Sequence, residues 1–145
     1  MAIYSTSDIA SSFSGDLCIA DNGDIQVGDS LETYKSAANF LLRTDYGDYA
    51  PNGNVGSNLG NYIGEVNKTE TYSSMERDAR NSLIIDLFEK TDVSVDVVPF
   101  DINEALVVVS LAGYFMVDNE LTYVQDERIT FSFPYIDGNI TPLVI

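Results

Sequence analysis

The chain of 145 residues has no histidine, no tryptophan, one cysteine, and only seven lysines and arginines against 23 acids. Each shortage excludes a class of chemistry. Without histidine, the commonest general base and the commonest metal-binding nitrogen are both missing. Nucleophilic triads of the serine or cysteine type therefore have no imidazole to activate them. The lone Cys18 forms no internal disulfide and no thiolate metal cluster; between Leu17 and Ile19 it reads as a reduced structural thiol in a strand. The seven bases (Lys35, Arg43, Lys68, Arg77, Arg80, Lys90, Arg128) are scattered, and the formal net charge is −16. Nucleic acids and anionic membranes are polyanions, which such a chain repels unless it carries a basic patch. The longest apolar run, Leu106 to Val117, has about twelve residues, short of the roughly 20 that a membrane-spanning helix needs. The N-terminus lacks the basic and apolar regions of a secretory signal, which leaves the N-x-T sequons at Asn67 and Asn139 without a secretory setting. The expectation is a soluble chain in a reducing compartment, with no cofactor, no metal, no nucleic acid and no membrane as partners.

Hydrophobic residues make up 45% of the chain, enough to offset the ordering entropy of one domain. Residues 1–14 carry five serines and read as an N-terminal arm. From Asp16 to Gly28, two short β-prone runs flank Asp21-Asn22-Gly23-Asp24, and Asn-Gly supplies the positive φ of a tight hairpin turn. The same residues lack the later ligands of a calcium loop. A helix follows, capped by Asp29 or Ser30, with Glu32 in its first turn and Arg43 at its end. Between Thr44 and Gly64 lie half of all the glycines, giving a loop and then a short helix capped by Ser57. The strongest helical pattern runs from Ser73 to Lys90: Ser73-x-x-Glu76 resembles a capping box, and Met75, Ala79, Leu83 and Leu87 form a stripe. Thereafter the period is two. Val93, Val95 and Val97 alternate, Leu106 to Val117 reads as a central strand, Asp118-Asn119-Glu120 as a turn, and Ile129, Phe131, Phe133 and Tyr135 share one face. Pro134 donates no ladder hydrogen bond and places that last strand at or near an edge. The fold class is α+β: an N-terminal hairpin, two or three helices and a C-terminal antiparallel or mixed sheet, in a single domain over residues 1–145.

Chemistry in such a chain falls to carboxylates. A glycosidase needs two of them about 5–10 Å apart, one buried enough to stay protonated. Asp45, Asp48 and Glu65 are candidates, yet 23 acids make some pair inevitable. A phosphate-binding G-x-x-x-x-G-K-[ST] loop is absent. Charge is concentrated instead: residues 1–30 carry five acids and no base, 31–90 nine acids and six bases, and 91–145 nine acids and one base. The β-rich ends are the acidic ones, either as a solvated surface or as one that steers a basic protein partner.

Three short motifs carry a resemblance. Gly23-Asp24-Ile25 lies in the hairpin, Leu42-x-Thr44-x-x-Gly47-Asp48 at the helix end, and Gly56-x-x-Leu59 in the loop that follows. Their order and spacing, over roughly residues 16–100, resemble the small baseplate wedge proteins of contractile-tailed phages, a family often labelled lysozyme-like. The chain departs from that family at Glu89-Lys90-Thr91-Asp92, where many members carry a Glu-Pro-Arg-like segment. The resemblance implies a non-enzymatic structural subunit of the virion, made in the host cytoplasm and similar in fold to the interlocking domain of sheath proteins. Its implied partners are other wedge subunits and tail sheath or tube proteins, in several copies with six-fold symmetry, where it anchors or initiates the sheath by strand pairing. Leu42, Thr44, Gly47, Asp48, Gly56 and Leu59 are then structural, and the alternative function is a cell-wall glycoside hydrolase. Ile129, Phe131, Phe133 and Tyr135, with Leu143, Val144 and Ile145 of a tail over residues 136–145, are expected to bind a partner. The tail either pairs with a neighbour or folds over its own sheet.

Overall fold

The strict alternation of valines after residue 92 sets the sheet on which everything else is placed. The computed structural model describes residues 3–8, 10, 17–45, 47–51, 53 and 56–143. In chain order the elements are β1 (Ile3–Tyr4), α1 (Ser30–Arg43), a single 3-10 turn (Leu59–Tyr62), α2 (Thr69–Asp86), β2 (Val93–Asp101), β3 (Glu104–Val117), β4 (Glu120–Pro134) and β5 (Thr141–Leu143). They form an α+β fold with one five-stranded mixed sheet. The central strand is β3. One of its sides pairs antiparallel with β4 along its length, and the other pairs antiparallel with β2 and then parallel with β1. Asp118 and Asn119, both in the left-handed region at φ 51° and 63°, make the two-residue turn from β3 to β4.

One face of the sheet holds the core. Val93, Val95 and Val97, then Val107, Val109 and Phe115, then Ile129, Phe131 and Phe133 are buried there against Ala38 and Leu42 of α1 and Met75, Ala79 and Leu83 of α2. Helix α1 begins as its sequence implies, because the Asp29 carboxylate accepts the Glu32 N–H at 2.9 Å.

Helix α2 differs from its pattern. It starts at Thr69, four residues before Ser73, and runs to Asp86. Glu76 does not close a capping box; its carboxylate accepts the Val97 N–H of β2 at 2.9 Å. The first turn has no aliphatic side chain and exposes Thr69 and Glu70, so it carries no apolar period to announce it. The helix expected after Ser57 shortens to the 3-10 turn, since Gly60 costs helix stability and Gly64 takes φ 89°. Strand β4 begins nine residues before Ile129. Opposite Leu111 and Gly113 of β3, β4 carries one extra residue between Val124 and Glu127, with Asp126 at φ 59°; this bulge flips the parity of β4 midway and hides its alternation. At the N-terminus, Ile3 and Tyr4 dock as β1, with Tyr4 buried.

Candidate interaction surfaces

The motif residues at the end of α1 converge on one corner. Leu42 and Leu59 are buried, Ser57 donates its N–H to the Thr44 carbonyl at 2.8 Å, and its hydroxyl reaches the Leu42 carbonyl at 3.3 Å. Gly56 is required there: at φ 129°, a Cβ would lie 2.5 Å from the Thr44 carbonyl oxygen. Gly47 adopts φ 92° and donates to Gly53 O, while Asp48 N–H donates to Asp45 O at 3.1 Å. This corner fastens the glycine-rich segment to the helix end by backbone bonds. Beyond it, the Gly64 N–H donates to the Tyr135 carbonyl at 2.6 Å, and the Tyr62 hydroxyl donates to Asp78 of α2 at 2.5 Å. Tyr46, Asn52, Asn54 and Val55 lie outside the described residues.

The carboxylates proposed for glycosidic chemistry are poorly placed for it. Asp45, Asp48 and Glu65 are all exposed, so none has the apolar setting that a general acid needs. Asp92 is a buried carboxylate that nothing in the sequence distinguishes from a turn residue; it accepts the Tyr4 hydroxyl at 2.6 Å. Burial, followed by that bond to Asp92, pushes the Tyr4 hydroxyl far up from its ordinary value. Burial and then the bond to Asp78 push Tyr62 up to about 12. Tyr135, raised first by burial and then by nearby Tyr72 and Glu65, is also pushed up to about 12. All three are protonated donors that pin elements together. Among the described residues, no group of three or more cysteines, aspartates and glutamates is arranged to hold a metal ion.

The sheet has two edges, and they are treated differently. Along β2, Glu76 takes the Val97 N–H, Arg80 Nε donates to the Val93 carbonyl at 3.3 Å, and Pro99 has no N–H to offer. Side chains of α2 thus blunt that edge. On the far side, β5 folds back over its own sheet: Leu143 pairs with Thr130, Pro142 with Phe131, and Thr141 with Ser132. Among the described residues no strand lies beyond β5, nor beyond β4 from Glu120 to Arg128. This corrects the expected docking role of Ile129, Phe131, Phe133 and Tyr135. Their side chains are buried in the chain's own core because the alternation that groups them points inward, under the helices. Leu143 is half-buried in β5, and Val144 and Ile145 lie outside the described residues. What remains open at this edge is backbone.

Sequence periodicity did not reveal the apolar surface that the fold leaves uncovered. Sixteen large hydrophobic side chains among the described residues are exposed. Four of them, Leu17, Ile19, Ile25 and Val27, share one face of the N-terminal hairpin, where Ile19 and Ile25 form an antiparallel bridge and Gly23 turns the chain at φ 83°. Backbone bonds tie the hairpin to the segment before it: Ala10 N–H donates to Gln26 O and Cys18 N–H to Ala10 O. Among the described residues, no helix is long and apolar enough to cross a membrane. Comparison of the chain with models of protein families, with curated proteins and with solved structures returns no match.

Proposed function

We propose that this chain is a structural subunit of a contractile phage tail baseplate, a wedge component that anchors or initiates the sheath by protein–protein contact and strand pairing. The observation that carries this reading is the hairpin face of Leu17, Ile19, Ile25 and Val27, exposed on a chain in which, among the described residues, no strand lies beyond β5. Contiguous apolar surface and unpaired strand backbone are hazards for a free monomer and contacts for a subunit. The Leu42–Thr44 and Gly56–Leu59 motifs support the family assignment through their mutual packing at one corner. In this reading the partners are other wedge subunits and sheath or tube proteins in a six-fold arrangement, and the chain resides in the virion after synthesis in the host cytoplasm. Strand pairing runs through the backbone of β5, with the hairpin as a second contact. Asp45, Asp48 and Glu65, the carboxylates named for the alternative glycoside hydrolase reading, are exposed.

The test is complementation of a gene deletion with a chain lacking Thr141–Ile145, followed by electron microscopy of the tails. The truncated chain keeps its circular dichroism spectrum and yields tubes without sheath. Sheathed tails at the intact chain's level would overturn the strand-pairing role, and lysis of cell wall by the purified protein would overturn the non-enzymatic one.

A further inference from the structure

Three stretches of chain meet around the start of α1 and leave a cleft of about 570 Å³ between them, a size typical of small-molecule sites. The N-terminal segment is fastened there by two bonds. Gly28 N–H donates to the Asp8 carbonyl at 2.8 Å, and Asp8 N–H donates to Thr33 Oγ1 at 3.1 Å. The turn from β3 to β4 contributes Met116, Asp118 and Asn119. Gly28 and Ser30 are buried and Asp29 is half-buried, whereas Ser5, Ser7, Glu32 and Asp118 are exposed at the rim. Gly28 leaves room for Glu32: a Cβ on it would lie 2.9 Å from Glu32 Oε2.

The lining of the cleft carries charge of one sign. Asp29, Glu32 and Asp118 are carboxylates, and among the described residues no lysine or arginine lines it. Asp29 uses Oδ1 for the Glu32 N–H. The Ser30 hydroxyl is a second, independent sign of a ligand. Ser30 is 1% exposed, lines the cleft, and among the described residues makes no side-chain hydrogen bond, whereas buried hydroxyls are normally paired. Among the described residues no three acids are grouped to hold one metal ion. Carboxylates spread in this way match a ligand whose own charges are spread. Val27 and Met116 add apolar wall, on which methylenes between charged ends can lie.

We propose that this cleft binds an alkylammonium ligand, a run of methylenes bearing two or three separated ammonium groups. One ammonium donates to Asp29 and to the Ser30 hydroxyl, the others pair with Glu32 and Asp118, and the methylenes lie on Val27 and Met116. A free polyamine and the lysine side chains of a neighbouring protein share this chemistry. No lining residue belongs to β5, so the site stands or falls separately from strand pairing there.

The test titrates the full chain, isotope-labelled, with spermidine and with an acetylated trilysine amide of the same charge. Expected are saturable one-to-one amide shifts at Gly28–Glu32 and Asp118–Asn119. Tighter binding of spermidine identifies a free amine as the ligand, and tighter binding of trilysine identifies lysines of a neighbouring protein. Glu32→Gln combined with Asp118→Asn weakens binding about tenfold, because two charge pairs are lost while both side chains keep their shape. Asparagine tolerates the φ of 51° at position 118. Ser30→Ala weakens binding severalfold without lowering the thermal midpoint, since alanine suits the first turn of a helix. Asp96→Asn, exposed on β2 and outside the cleft, leaves the affinity unchanged. Shifts that do not saturate, equal shifts from magnesium chloride at matched charge, or a loss on Asp96→Asn as large as that of the double variant would each overturn the proposal.

Discussion

Tyr4 does more for the fold than its place near the chain's start suggests. Its ring stacks on Phe115 at 4.8 Å and meets Tyr34 and Phe88 edge-on at 4.9 and 5.6 Å. Its hydroxyl donates to Asp92 and accepts the Glu89 N–H at 3.0 Å. One side chain thereby joins β1, α1, β3 and the link between α2 and β2. Tyr4→Phe keeps the ring but leaves a buried carboxylate and an N–H without that partner, a loss of about 1–3 kcal/mol readable in urea denaturation. An unchanged midpoint would show that the hydroxyl is not a pin. The raised tyrosines also set an alkaline limit. Tyr62 and Tyr135, at about 12, hold their protons more tightly in the folded chain than in the unfolded one, where the ordinary value is 10. Their contribution to stability is full below about 10 and is lost as the pH rises from there through about 12. Urea midpoints measured across that window fall for the intact chain, and the Tyr62→Phe, Tyr135→Phe double variant flattens the fall. Asn67 is a comparable latch: its amide donates to the Asp101 carbonyl at 2.6 Å and its oxygen accepts the Tyr135 hydroxyl at 3.0 Å. A sugar attached at that sequon would take the amide away from the β2–β3 turn.

Elements whose signals are local were legible in the sequence, and those whose signals are tertiary were not. Helix α1 carries its own start and stop in Asp29 and Arg43, and β2 advertises its inward face through three alternating valines. The first turn of α2 could not be read, because Glu76 serves a strand edge that exists only after folding. The first half of β4 was hidden by a bulge that reverses which residues face inward. The aromatic residues of its second half were correctly grouped on one face, but a period of two does not say whether that face meets the chain's own helices or a neighbour. The corner at Gly56 depends on a residue without a side chain. Gly56→Ala forces a Cβ toward the Thr44 carbonyl and strains a positive φ, at a cost of about 2 kcal/mol or more. A thermal midpoint lowered by several degrees is the expected result, and an unchanged one would mean that the corner is not tightly packed.

Across the molecule, the excess of acids and the uncovered apolar surfaces belong together. Residues 91–145, which build β2 to β5, carry nine acids and one base, and among the described residues no strand lies beyond β5 at the edge of this sheet. Such a surface is kept from self-association by charge and remains available to partners of the opposite sign. Carboxylates this numerous invite an enzymatic reading, yet the candidates lie exposed, and the buried acid is tied to a tyrosine. The functional reading therefore rests on surfaces, and surfaces are tested by where the chain resides. For the proposed baseplate role, quantitative mass spectrometry of purified contractile tail particles from the source of this chain is the most direct measurement. A fixed copy number, in a six-fold-compatible ratio to the other baseplate proteins, is the predicted result; a chain absent from the particles and recovered only in the soluble fraction would contradict it.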